Sequence, residues 1–124
     1  MTTGLQGRAE TIVSDANTAQ ALGSGTVPVF ATPMLVALME AAAMDALRGQ
    51  LEEGQTTVGT YIATTHQRAT PVGRKVWAQA QLVETDRRAL TFTVTAYDDK
   101  GVVGEGTHKR FIVEPERFLK KVQE

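Results

Sequence analysis

The chain has 124 residues, 42% apolar and 22% charged, a size and balance that suit one folded domain with a modest core and exclude a disordered chain or a coiled coil. Its formal net charge of -1 makes no field that would gather phosphates, so no nucleic-acid partner is expected. Without cysteine there is no disulfide, thiol nucleophile or zinc-thiolate site, and without a signal-like start or a run of about 20 apolar residues a cytoplasmic protein with no membrane partner is expected.

In chain order, a weak alternation over residues 8–14 predicts a first strand. Residues 15–30 shift to small side chains, with Gly23-Ser24-Gly25 and Pro28, and predict a long irregular connection of a kind that often serves function. Residues 33–47 predict the one long helix, because Thr32 before Pro33 is a cap and first-position pair, the run is rich in Ala, Leu and Met, and Gly49 offers a stop. Two apolar stripes run along it: Leu35, Leu38, Met39, Ala42 and Ala46 on one side, and Val36, Ala43, Met44 and Leu47 on another. Such a helix should be buried by a sheet and by a second subunit.

After Glu52-Glu53-Gly54 the apolar period changes to two, and residues 58–66, 75–83, 89–97 and 102–113 predict strands rich in Val, Thr and aromatics. Pro71-Val72-Gly73, then Thr85 to Arg88, then Asp98 to Gly101 read as three hairpin connections, with Gly101 in a left-handed position. They imply a four-stranded antiparallel meander, followed by a short helix over 114–122. The expectation is an α+β fold in which residues 1–124 form a single domain, a curved antiparallel sheet around one long central helix.

Three residues draw attention as chemistry. Glu40 has Val36, Ala37, Ala43 and Met44 as its helical neighbours, so its carboxylate should be poorly solvated or face a cleft, with its pKa pushed up towards the range of a general base; a structural carboxylate at an edge is the plainer alternative. Thr32 is explained by capping alone, yet a helix start also presents unpaired N–H groups to a developing oxyanion. His66, closing the second strand on the face of Val58, Thr60, Ile62 and Thr64, is placed for proton transfer or is a satisfied structural histidine. His108 and Arg110 share a face of the last strand, where Gly104 and Gly106 permit close approach of another backbone or a ligand. Two histidines 42 positions apart make no recognisable metal site, and no Walker, dinucleotide or G-x-S-x-G motif occurs.

The segments Val29-Phe30-Ala31-Thr32-Pro33, Ala37-Leu38-Met39-Glu40, Gly59-Thr60, Thr65-His66, Ala69-Thr70-Pro71 and Gly104 to Arg110, in this order, resemble the fluoroacetyl-CoA thioesterase family of hotdog proteins. The resemblance implies the hotdog fold, hydrolysis of a short or small acyl-CoA thioester, a homodimer with the site near the subunit interface, and no cofactor beyond the coenzyme A of the substrate. It implies a catalytic set falling on Thr32, Glu40 and His66, with Gly59, Arg110 and Phe30 around the substrate. The family's fluoroacetyl-specific enzyme has a phenylalanine lid before the helix, whereas Gly23 to Pro28 here contains no aromatic residue, so the acyl group is left unassigned. A hotdog hydratase or dehydratase, or a non-catalytic acyl-CoA binding module, are the alternatives.

Overall fold

The computed structural model describes residues 1–124. Strands β1 (Gln6–Ile12), β2 (Thr56–Thr64), β3 (Lys75–Asp86), β4 (Ala89–Asp98) and β5 (Gly101–Val113) form one sheet. Their spatial order is β1-β3-β4-β5-β2, and every neighbouring pair is antiparallel. A short helix α1 (Ala19–Leu22) interrupts the connection expected to be irregular, the long α2 (Thr32–Ala46) packs across one face of the sheet, and α3 (Pro115–Val122) ends the chain.

Alternation along the strands builds the core. Val76, Ala78, Ala80 and Leu82 of β3 and Leu90, Phe92, Val94 and Ala96 of β4 are all buried, while Gln79, Gln81, Thr93 and Thr95 lie on the other face. Leu35, Leu38, Met39, Ala42, Ala43 and Ala46 of α2 complete the cluster. Fully burying a side chain such as Leu35 or Phe92 contributes about 1.5–3 kcal/mol. The helix comes closest to the sheet at Gly7, where an added Cβ would overlap the backbone of Ala42 and Ala46. Asp45 ties α2 to the edge strand, accepting a hydrogen bond from Arg8 N–H at 2.9 Å.

The four-stranded meander is corrected to three strands, since β2 pairs with β5 at the far edge and not with β3. Pro71-Val72-Gly73 is therefore part of a crossover. It is held to the N-terminal half of the chain by Phe30 N–H donating to Thr70 O at 2.9 Å and Gly73 N–H donating to Val13 O at 2.8 Å. Turn residues specify that the chain reverses locally; which strand it then pairs with depends on the edges that burial brings together.

The expected common face of β2 is also corrected. The register with β5 shifts between Gly59 and Tyr61, a bulge that leaves Thr60 as the extra residue. Thr57 and Gly59 before it, and Ile62 after it, face the helix side, so Val58 and Ile62 lie on opposite faces. On α2 the side turned away from the sheet exposes Ala37, Ala41 and Met44, flanked by half-buried Val36 and Glu40.

Candidate active site

The structure places His66 beyond the end of β2, in the segment that continues along β5 after Thr64. Its Nδ1 lies 2.7 Å from Thr32 Oγ1. That contact bears on the capping reading of Thr32. The helix begins at Thr32, its N-cap is Ala31 in an extended conformation, and no side chain caps it. The hydroxyl expected to cap the helix goes to the imidazole instead. The first turn also has fewer spare donors than expected, because Met34 and Leu35 N–H both return to Ala31 O at 3.0 Å and Pro33 has none. Thr32 N–H is the one that does not return there.

Burial holds His66 below the ordinary imidazole pKa, with the nearby Arg68 backbone opposing the shift. Its Nε2 is buried, with no hydrogen bond of good geometry. With Thr32 O–H donating to Nδ1, hydroxyl and imidazole lie within proton-transfer reach of each other.

Glu40 belongs to a second cluster. Its apolar helical neighbours suggested a carboxylate poorly solvated or facing a cleft; the side chain is 41% exposed, and Arg110 from β5 brings Nη1 to 3.5 Å from Glu40 Oε2. Arg110 is buried and orientated by Thr57, donating from Nε to Thr57 Oγ1 at 2.7 Å and from Nη2 to Thr57 O at 3.1 Å. His108 completes the set, as its shared face with Arg110 predicted. Its Nδ1 donates to Tyr61 O at 2.8 Å, which leaves Nε2 to accept from Arg110 Nη1 at 3.2 Å. Burial lowers the His108 pKa first of all, the Tyr61 carbonyl opposes this, Arg110 adds to it and Glu40 opposes it, in keeping with the neutral tautomer those bonds require. Arg110 is itself lowered by burial, against the attraction of Glu40.

Gly59 stands beside this cluster, where an added Cβ would be 2.7 Å from Glu40 Oε2 and 3.4 Å from His108 Cε1. A side chain there would crowd the carboxylate in its present position. Phe30, expected near the substrate, is 1% exposed and is part of the hydrophobic core. An aromatic residue next to a helix start is as useful to packing as to a ligand, and here packing takes all of its surface.

Thr32 and His66 thus form one hydrogen-bonded pair, and Glu40, Arg110, His108 and Thr57 another network. Eight residues of helix separate Thr32 from Glu40 by roughly 12 Å along its axis, and no hydrogen bond joins the two groups within the chain. Thr57 had no signal in the sequence, because its role depends on an arginine 53 positions away. No group of three or more His, Cys, Asp or Glu side chains stands close enough to hold a metal. Two open clefts, of about 490 and 540 Å3, lie elsewhere, one by Arg8, Gln79 and Tyr97 and the other by Met44 and Gly54.

The chain is similar to known proteins along most of its length. Residues 13–116 match the family described as fluoroacetyl-CoA-specific thioesterase, FlK. A fluoroacetyl-CoA thioesterase of Streptantibioticus cattleyicolor is 41% identical over 96 residues, covering 77% of this chain and 69% of that protein. Among solved structures, a phenylalanine-to-alanine mutant of the thioesterase FlK superposes with a TM-score of 0.92 at 34% identity, covering 99% of this chain and 96% of that one. A threonine-to-alanine mutant of FlK in complex with fluoroacetate gives 0.91 at 33% identity, covering 99% and 97%. A Thermus thermophilus protein described as a thioesterase superfamily member gives 0.88 at 27% identity, covering 98% and 93%.

Proposed function

The chain belongs to the fluoroacetyl-CoA-specific thioesterase family, has the hotdog fold and is a thioesterase, and on that premise we propose that it hydrolyses a small acyl-CoA with Thr32, Glu40 and His66 as the catalytic set. The observation that carries the assignment is the 2.7 Å contact between Thr32 Oγ1 and His66 Nδ1, at a histidine whose other nitrogen is buried.

In this reading His66 takes the Thr32 hydroxyl proton while Oγ1 attacks the acyl carbon, and the carbon–sulfur bond breaks as His66 returns that proton to the departing coenzyme A sulfur. Water then cleaves the acyl-threonine ester, losing a proton to a base and restoring the hydroxyl. Glu40 is the base proposed for the water, orientated by Arg110 Nη1 at 3.5 Å. Thr32 N–H and the backbone near Gly59 are the donors proposed for the oxyanion. No cofactor enters beyond the coenzyme A of the substrate.

The distance between Thr32 and Glu40 along one helix argues for a homodimer, in which the partner brings a carboxylate to the Thr32 and His66 pair. The exposed Ala37, Ala41 and Met44 of α2 and the unpaired outer edge of β2 are the surfaces proposed for that interface. No helix is long and apolar enough to cross a membrane; a cytoplasmic location, where coenzyme A thioesters are found, belongs to the same proposal.

Thiol release from a panel of short, branched and aromatic acyl-CoAs tests the activity. Release of coenzyme A is expected for at least one small acyl group. Conversion of the acyl chain without thiol release would point to a hydratase, and binding alone to a carrier. Glu40→Gln and His66→Ala should each lower turnover by a factor on the order of 100 or more in a folded protein; undiminished rates in both would overturn the site.

A further inference from the structure

We propose that Thr65, working with Gly104 and Gly106 of β5, holds the His66 imidazole against Thr32, a positioning role that rests on the reading of His66 as catalytic base. His66 lies outside β2, where regular pairing has ended, yet a proton-transferring group must be held to within a fraction of an ångström of its productive place. The residues on both sides of it are fastened to β5. Thr65 N–H donates to Glu105 O at 3.1 Å, and Gln67 N–H donates to Val103 O at 2.8 Å. The Thr65 hydroxyl adds two more ties, accepting from Glu105 N–H at 3.1 Å and donating to Gln67 Oε1 at 3.1 Å, with Glu105 O at 3.4 Å as the alternative acceptor. One exposed side chain thereby joins the residue before His66 both to the sheet and to the residue after it.

The two glycines make the close approach possible. An added Cβ on Gly104 would overlap Thr65 O and come within 3.3 Å of Leu35 Cδ2, and one on Gly106 would overlap Ala63 O and lie 2.8 Å from Thr64 Cα. Neither glycine has a positive φ, so space and not backbone conformation requires them. Leu35 is one turn beyond Thr32 on α2, which means that Gly104 sets the approach of β5 to both halves of the Thr32 and His66 pair. Thr65 itself contributes nothing to the core.

The test is steady-state hydrolysis of the acyl-CoA turned over fastest in the thiol-release panel, by the full chain carrying Thr65→Val, Thr65→Ser, Gly106→Ala or His66→Ala. Thr65→Val keeps the volume and removes both side-chain ties; kcat should fall by about 10- to 100-fold, the scale of a small misplacement, with KM changed less than about twofold and the thermal midpoint near that of the unaltered protein. Thr65→Ser should restore kcat, and Gly106→Ala, which must displace the backbone of residues 63–65, should lower it at least as far as Thr65→Val. An undiminished kcat in Thr65→Val, a loss confined to KM, or a Thr65→Ser variant as impaired as Thr65→Val overturns the positioning role. Inactive His66→Ala beside fully active Thr65→Val defeats this inference alone, whereas fully active His66→Ala defeats the catalytic reading on which it stands.

Discussion

Thr32 shows how one hydroxyl can be read twice from sequence and once from structure. Because Ala31 is the N-cap and no side chain caps α2, Thr32→Ala should not carry the roughly 1 kcal/mol cost of a lost cap. Chemical unfolding should shift by less than that, while thioester turnover collapses; a full capping loss with activity retained would reverse the assignment. Both histidines also bear on pH. Burial is the largest cause lowering His66 and His108, so the unfolded chain takes up these protons at a higher pH than the folded one. Stability is then complete above the ordinary imidazole value of about 6.5 and declines as pH falls from there towards the lowered folded values. Urea midpoints measured from pH 8 down to 5 should show that decline, and His108→Gln should make it shallower. For the reaction the same burial keeps His66 neutral, as a base must be, to lower pH than a free imidazole would be.

Elements were legible where the period was strong. The alternation of β3 and β4 and the buried stripe of α2 follow directly from apolar spacing, and the last strands and α3 lie close to where turn residues put them. The pairing of β2 was not legible, since a proline and glycine turn reports a reversal and carries no information on the partner strand. The bulge at Thr60 was equally hidden, because a single inserted residue flips the faces without altering composition. At this scale Gly7 is an exacting position. Gly7→Ala would press a methyl group into the backbone of Ala42 and Ala46, and overpacking of this kind typically costs 1–3 kcal/mol. A urea midpoint unchanged by the substitution would mean that α2 does not approach β1 as closely as described.

The whole molecule is a sheet that covers one side of a helix apolar on nearly every side. Ala41 is exposed in the single chain, so Ala41→Glu should leave the protomer folded while placing a charge in the proposed dimer interface. Sedimentation should then report a monomer, and turnover should drop with it if the site draws on both subunits. A dimer of unchanged stability would move the interface elsewhere.

The sequence by itself determined the α+β class, the central helix, the candidate trio and the family resemblance, because apolar period, helix signals and ordered short motifs are local properties of the chain. Only the tertiary structure decided that the Thr32 hydroxyl meets His66, that Arg110, Thr57 and His108 gather around Glu40, and that Phe30 belongs to the core. Apart from His108 and Arg110, which are two positions apart, those hydrogen-bonded pairs join residues 34 to 70 positions apart, and their geometry is set by the strand order, one bulge and three glycines, at Gly59, Gly104 and Gly106, whose meaning lies in what packs against them.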